Sequence, residues 1–584
     1  LENIDVARIF DEIADILELK DDNRFRIRSY RRAARVVRDM PDDVKSLSEA
    51  GQLTSIQGIG SSLAEKIEEI LKTGTCKYCE ELRQDPVHGL TALLSIPGVG
   101  ARLARKLNKE IGISGVDELE QAAREGRLRS IEGMGEKIEE KILKGIEQYR
   151  RNVGRFKVSE ALAHAEAIVK TIGAMKAVSR IDIAGSLRRM KETIGDIDIL
   201  VIPGSSRRGS SLEESSHGIM DAFTSMDTVS DVLARGETKS SVILSSGIQV
   251  DLRILPKSDY GAAMHYFTGS QDHNVVMRDR AKRMGLKISE YGVFGVKDDK
   301  RLGGEREEDV FKLVGLPFIP PELRENSGEI EAAEKGELPK LIEAGHIKGD
   351  LHLHTSASDG TGSIEEMARQ AKKMGYKYAA ITDHSQTLRI AGGLNEAELK
   401  DHIGAIRSAN KKIDGIEILA GIEVDILADG GLDIADEMLA ECDVVIAAIH
   451  SRFNMPREEM TARIIKAIAN PHVNILAHPT GRLINERDPY QVDIEKVIAA
   501  AAKHKIALEL NAHPDRLDLK DSHCRAAKAA GVRVCIDTDS HADQQMSNMR
   551  FGVATARRGW LEPADVINTY PLARLKRFLS GRSK

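Results

Sequence analysis

The stretch RIDIAGSLRRMKETIGDIDILVIP (residues 180–203) decides the fold of the first half of this 584-residue chain. Its end, DIDILVIP, alternates with the period of a strand. Asp196 and Asp198 therefore share one face, and Ile197, Ile199 and Val201 take the other. Two adjacent carboxylates repel unless a cation lies between them, although a solvated strand face with two acids shows the same pattern. SSGIQVDLRIL (245–255) repeats the alternation, with Gln249, Asp251 and Arg253 opposite Ile248, Val250, Leu252 and Ile254. Three carboxylates on adjacent strands can hold two Mg²⁺ ions, the arrangement that in-line phosphoryl transfer uses. Just ahead, Gly185 and Ser186 fall at a strand-to-helix turn whose N–H and hydroxyl donors suit a triphosphate, and Arg189 adds bidentate charge.

Toward the C-terminus, seven strand-like runs follow residue 347: GDLHLH (349–354), YAAIT (378–382), IEILAGIEV (416–424), VVIAAIH (444–450), VNILAH (473–478), IALELN (506–511) and VRVCID (532–537). Helical segments separate most of them, which predicts a parallel β/α barrel. At the strand C-terminal ends stand His352, His354, Asp359, His384, Glu423, His450, His478, Asp539 and His541, the end at which barrel sites form. One histidine in a core is usually structural. Nine His, Asp and Glu residues at equivalent ends predict a metal centre, and mixed His/carboxylate ligation suits Mn²⁺, Zn²⁺ or Fe²⁺ better than Mg²⁺. His346, His472, His504, His513 and His523 match no ligand position, while Asn511 ends the sixth run, within reach of supporting a ligand. The pair Cys76 and Cys79 has no partner pair and is not read as a zinc site.

Toward the N-terminus, residues 1–150 are nearly all helical in period. Three segments repeat: LTSIQGIGSSLAEKI (53–67), LLSIPGVGARLARKL (93–107) and LRSIEGMGEKIEEKI (128–142). Each places two glycines in a tight turn before a helix, and the N–H groups at the helix start can face a phosphate. The run RFRIRSYRRAARVVR (24–38) holds seven arginines and no acid. It reads as a solvated charged face or, with Tyr30 and Arg31, as a phosphate-backbone contact.

The G-h-G repeats resemble the helix-hairpin-helix family, which binds DNA backbone through turns such as Gly58–Gly60 and Gly98–Gly100; the third copy departs by Glu139 in place of a small residue and is expected to be structural. GS-x(9)-D-x-D with a later strand Asp resembles the nucleotidyltransferase superfamily. GSLRRMKETIGDID together with YFTGSQDHNVVMR (266–278) is similar to family X DNA polymerases, in order across residues 1–318. HLHT-SASDG, TDH, GIEVD, IH, AHP and TDSH resemble the polymerase and histidinol phosphatase (PHP) family, with all nine ligand positions matched. The resemblance implies a bacterial or archaeal family X polymerase with a C-terminal PHP domain. It implies that Asp196, Asp198 and Asp251 bind Mg²⁺ (or Mn²⁺) and that Gly185, Ser186 and Arg189 hold the triphosphate. Tyr266 and Phe267 then meet the sugar, Gly269 and Ser270 shape that turn, Asn274 meets the base and Arg278 the template. Two or three Mn²⁺, Zn²⁺ or Fe ions occupy the barrel, and 3′→5′ exonuclease and abasic-site endonuclease activities attach to it. Lys66 matches a Schiff-base lysine of a 5′-deoxyribose-phosphate lyase, but a second family lysine is Ser62 here; an exposed helix lysine remains the other reading.

Composition fits this outline. The chain is 41% hydrophobic and 30% charged, which excludes a largely disordered protein. No run of about 18 apolar residues occurs, the N-terminus lacks signal-peptide features, and five scattered cysteines make no disulfide framework. The net charge of −6 argues against nucleic acid only as a sum, because residues 151–318 carry 25 basic and 23 acidic residues. The expected architecture is multidomain: all-α helix-hairpin-helix units (1–82 lyase-like, 83–152 fingers), an α+β palm (153–257) with thumb (258–318), a Pro-containing linker (319–346) and a distorted (β/α)7 barrel (347–584). Expected partners are gapped or primer–template DNA and dNTPs, with no membrane, acting as a cytoplasmic, nucleoid-associated monomer.

Overall fold

The structure is a computed structural model and describes residues 3–40, 44–56, 58–152, 154–204 and 212–581. The first two units are helical. Helices Asn3–Leu19 and Arg24–Asp39 pack Val6, Phe10, Ile13 and Leu17 against Ala33, Ala34 and Val37, and helix Ser61–Thr73 adds Ile67 and Ile70. A second helical core runs from Leu90 to Ile146.

The palm is a five-stranded sheet in the order Val178–Ile183, Asp196–Pro203, Gln249–Ile254, Lys239–Leu244, Val229–Arg235. Ile197, Ile199 and Val201 are fully buried against helix Val158–Gly173, as their alternation requires. Leu200 and Ile202 are buried too, on the other face, where helix Tyr260–Thr268 covers them.

The barrel has seven parallel strands in sequence order, Gly349–Leu353, Tyr378–Ile381, Glu417–Asp425, Val444–Ala448, Ile475–Leu476, Ala507–Asn511 and Arg533–Asp537. A parallel bridge between Leu353 and Ser540 brings the first strand to the last, so the sheet is nearly closed. The barrel docks on the palm: Ile484, Leu517 and Phe551 join the palm core. Lys157 reaches Glu486 at 2.6 Å and Asp515 at 2.7 Å, and Arg482 reaches Glu192 at 2.7 Å.

The expected linker 319–346 is not a free tether. Ile319, Leu323, Ile330 and Leu341 pack with Phe311 and Val314 into one core with the thumb. Arg324 is fully buried, donating to Glu307 at 2.6 Å and to the Ile319 carbonyl at 2.8 Å, with Phe311 and Phe318 stacked against it. The prolines and acids that read as a spacer instead frame a buried guanidinium. Removing one member of a buried ion pair strands the other charge, so Arg324→Met is expected to cost about 3 kcal/mol. That is the low end of the usual range, because Glu307 keeps Arg188 as a bidentate partner. Urea unfolding of the full chain measures it.

Candidate active sites

In the palm, strands Asp196–Pro203 and Gln249–Ile254 pair in parallel with Asp198 opposite Asp251 and Asp196 opposite Gln249. This register gathers the three carboxylates. Burial and the charges of Asp196 and Asp251 raise the Asp198 carboxyl to about 7. Burial works against ionisation of Asp251 as well, yet hydrogen bonds from Lys239, Gln249 and Ser241 hold it below its ordinary range. Lys239 lies 2.7 Å from its Oδ2 and Gln249 donates at 3.0 Å. A carboxyl raised by burial and by two facing acids belongs to a donor set that a divalent cation relieves, so these residues fit a cation. Gly185 makes the approach possible: its φ is +67°, and a Cβ there would stand 2.6 Å from Asp198 Oδ2.

The turn after Gly185 is tied to the thumb. Arg188 donates to Glu307 at 2.8 and 2.7 Å and to Thr268 Oγ1 at 2.7 Å. Arg189, expected as a free triphosphate ligand, is 9% exposed and donates to Glu325 at 3.0 Å and to the Thr268 carbonyl. Both partners are distant in sequence, which hid them. Tyr266 and Phe267 are half-buried, edge to face at 5.1 Å, and Arg253 stacks on Phe267 at 4.4 Å. Asn274 donates to the Tyr266 carbonyl at 2.8 Å while its own Oδ1 is buried without a partner. Gly269 has a φ of +65°, and Ser270 caps helix Gln271–Arg283 by accepting from His273 N. Arg278 is exposed on that helix.

In the helical units, Gly58, Gly98 and Gly133 adopt positive φ, and Gly60 and Gly100 cap the helices that follow. Glu139 in the third copy is 4% exposed and paired with Arg129 at 2.8 Å, a structural role. The arginine run splits. Arg31 pairs with Asp11, Asp15 and Glu18, and Arg38 with Asp11. Tyr30 is buried, stacked on Tyr78 and edge-on to Phe10. Tyr30, expected at a DNA surface, therefore serves the domain's own packing, because the apolar face of the first helix claims it, while Arg31, its side chain 40% exposed, pairs with the acids of that helix. Arg24, Arg28, Arg32 and Arg35 remain exposed. Arg32 Nε would lie 3.0 Å from a Cβ at Gly58, which sets it beside the first G-h-G turn. Lys66 hydrogen-bonds Ser62 at 3.2 Å through the hydroxyl, with Nζ 5.6 Å from the Tyr78 ring centroid.

The barrel site collects the strand-end residues. Among the described residues, three groups bring their ligand atoms within 4.8 Å of one another: His354, Asp359, His384 and His541; His352, His354 and Asp539; and His384, Glu423 and His450. His478 joins through Glu423 Oε1 at 3.2 Å. His352 Nε2 and His354 Nδ1 are buried without a hydrogen-bond partner, while His384 Nδ1 lies 2.7 Å from Glu423 Oε2 and His354 Nε2 3.1 Å from Asp539 Oδ1. Orphaned donors and acceptors of this kind, converging on one centre, fit divalent metals. Burial opposes the charge of Glu423, but His384, His450 and His352 hold its carboxyl well below the ordinary range. His478 and Asp539 have φ of +25° and +51°, strained values for such residues and typical of functional sites. The palm carboxylates form no comparably tight group among the described residues.

Supporting contacts were less visible from sequence. His352 Nδ1 lies 2.6 Å from Glu509, and His450 Nδ1 2.9 Å from Asp425, which fixes each ring and aims Nε2 inward. Asn511 donates to Asp539 at 3.0 Å, the supporting role its strand end implied. Asp425 shares a strand face with Glu423, and Glu509 with Asn511; their partners could be known only from the closed barrel.

Family models match in order: "Helix-hairpin-helix domain" over residues 1–76, "SAM-like Helix-hairpin-helix tandem" over 90–148, "DNA polymerase beta palm" over 155–246, "DNA polymerase beta thumb" over 263–325 and "PHP domain" over 350–513. The thumb match runs past residue 318, in keeping with the shared thumb core. The "DNA polymerase/3′-5′ exonuclease PolX" of Bacillus subtilis (strain 168) is 39% identical over 577 residues, covering 98% of this chain and 99% of that protein. Shorter relatives match 40% of the chain: a "Probable phosphatase" of Thermoanaerobacter sp. (strain X514), 29% identical over 95% of its length, and the "Probable phosphatase YcdX" of Escherichia coli O139:H28, 33% identical over 94%. With a full-length relative and palm, thumb and PHP models in the order of its own domains, the chain belongs to the X-family DNA polymerases that carry a C-terminal PHP domain.

Proposed function

We propose that the protein is a DNA repair enzyme that fills short gaps and trims 3′ ends, one site in the palm and one in the barrel. The observation that carries this reading is that one chain brings Asp198 opposite Asp251 with Asp196 on the same strand face, and gathers nine barrel side chains into overlapping clusters. Asp196, Asp198 and Asp251 hold Mg²⁺ or Mn²⁺. Gly185, Ser186 and Arg189 receive the triphosphate of a dNTP. Tyr266 and Phe267 face the sugar, with Gly269 and Ser270 setting their turn. Asn274 meets the base and Arg278 the template. Gly58, Gly60, Gly98 and Gly100, with exposed Arg32 beside Gly58, take the DNA backbone. Lys239 and Gln249 hold Asp251 ionised, the state in which it would bind a cation beside the primer 3′-hydroxyl.

In the barrel, His352, His354, Asp359, His384, Glu423, His450, His478, Asp539 and His541 hold two or three Mn²⁺, Zn²⁺ or Fe ions. Such ions supply charge neutralisation of a phosphodiester and ease the ionisation of water. Arg516, with Nε 3.7 Å from Asp539, lies beside the centre and suits a substrate phosphate. Among the described residues no helix is long and apolar enough to cross a membrane. The reading places a monomer on nucleoid DNA in the cytoplasm.

The test is a one-nucleotide gap with a 5′-phosphate, in Mg²⁺ and in Mn²⁺, scoring extension and 3′ degradation together. Metal analysis of the purified protein identifies the barrel ions. The shorter relatives named as phosphatases favour a second reading for the barrel, hydrolysis of small phosphate monoesters. Faster turnover of p-nitrophenyl phosphate than of a 3′-recessed duplex would support it.

Asp198 also sets a pH dependence. Its raised carboxyl favours the protonated state, which stabilises the metal-free palm below the ordinary carboxylate range; that contribution is lost as pH rises through about 7. A cation must displace that proton at pH 6 but not at pH 8. Mg²⁺ is therefore expected to bind the palm more tightly at pH 8, by roughly a factor of ten for each proton displaced over one pH unit below the carboxyl's midpoint. The difference in Mg²⁺ affinity between wild type and Asp198→Asn, with the barrel already loaded, reads it. An equal pH dependence in the two proteins contradicts it.

A further inference from the structure

The palm turn that carries Arg189 meets the barrel at a buried point. Arg558 ends the barrel helix Met549–Arg558, and its side chain is 6% exposed. Its Nη1 donates to the Arg189 carbonyl at 2.9 Å and to Glu325 Oε1 at 2.9 Å; its Nη2 donates to Asp521 at 2.7 Å. Glu325 Oε1 also accepts from Arg189 Nε at 3.0 Å, and Lys191 Nζ stands 3.8 Å from Oε2. The contacts continue into the pocket. Arg189 Nη1 donates to the Thr268 carbonyl, Arg188 to Thr268 Oγ1, and Ser270 N to the carbonyl of Arg324, the neighbour of Glu325.

We propose that Arg558, a barrel residue, is a positioning residue for the nucleotide pocket of the palm, holding Arg189 and the Thr268–Ser270 turn in place through Glu325. The proposal rests on the assignment of that pocket to a dNTP made above. Two physical effects give it a direction. The first is geometric. One planar guanidinium serves a palm carbonyl, the Glu325 carboxylate and the Asp521 carboxylate at once, a fork that an ammonium group does not reproduce. The second is electrostatic. Arg189, Lys191 and Arg558 face Glu325 and Asp521, three cations against two anions. The surplus positive charge attracts a triphosphate, and Arg558 takes a share of Glu325 Oε1, the oxygen that Arg189 Nε also reaches. Without Arg558 the surplus vanishes and Oε1 is left to Arg189, with Lys191 3.8 Å from Oε2.

The experiment is steady-state gap filling by the full-length protein, with dNTP varied at saturating DNA, beside 3′ degradation of a single-stranded oligonucleotide. Arg558→Ala is expected to raise the KM for dNTP about tenfold, to change kcat less than threefold and to leave 3′ degradation unchanged. Arg558→Lys, which keeps the charge and loses the fork, is expected to fall between, and it serves as the test if Arg558→Ala does not fold. Unchanged KM for dNTP in both variants, or parallel loss of both activities, overturns the proposal. If the wild-type protein itself neither extends the primer nor binds dNTP, the assignment of the pocket fails instead.

Discussion

Replacing Asp196 and Asp198 together by Asn is expected to cut gap extension by roughly 10⁴-fold, about 10² for each electrostatic stabiliser removed. The same protein is expected to degrade 3′ ends at a rate within about twofold of wild type, since effects at separate sites with no shared partners are independent. The register explains why both carboxylates matter. Asp198 sits directly opposite Asp251 on the paired strand, and Asp196 lies two residues along on the same face. The amides keep size and shape but remove the charge that opposes Asp251, so the strand pairing is retained. The readouts are single-turnover extension of a one-nucleotide gap and loss of a 3′-labelled nucleotide. If the double variant loses both activities together, one shared site replaces the two-site reading.

Glu423→Gln is the second large effect. Glu423 is the hub of the barrel centre: Oε2 is 2.7 Å from His384 Nδ1 and 3.5 Å from His352 Nε2, and Oε1 is 3.2 Å from His478 and 3.4 Å from His450. An amide of the same shape leaves those rings facing a neutral group. The purified variant is expected to lose at least one equivalent of transition metal and roughly 10³-fold of its 3′ degradation, the scale of losing a major electrostatic stabiliser. Gap extension is expected to persist. Elemental analysis and the two assays on one preparation decide it: full metal content with unchanged degradation would place the chemistry elsewhere in the barrel.

These two predictions draw on different kinds of information. The barrel ligands are legible in the sequence because they cluster at the ends of short apolar runs, and a strand end in a parallel barrel has one destination. The palm carboxylates are legible as a face, since alternation is a property of neighbouring residues. Their register is not. Asp198 opposes Asp251 rather than Gln249 because the intervening strands pair into the sheet and helix Leu212–Thr224 packs on it, which no local pattern records.

Side chains with long, charged arms were the least legible. The arginine run 24–38 looks uniform in sequence, yet Arg31 and Arg38 turn to the acids of the preceding helix while Arg32 lies beside the Gly58 turn. The prolines and acids of 319–346 look like a spacer, and they close over Arg324. Arg189 was assigned by its motif alone, and its observed partners come from the thumb end and, through Glu325, from the barrel.

The sequence by itself determined the order of domains, the two donor sets and the faces they occupy, because these follow from periodicities and turns that span a few residues. The tertiary structure alone decided the strand register, the second partners of the ligand histidines, the burial of Tyr30 and the docking of the barrel on the palm. Those depend on which distant segments meet, and a choice among partners hundreds of residues apart is made by the packing of whole elements rather than by local preference.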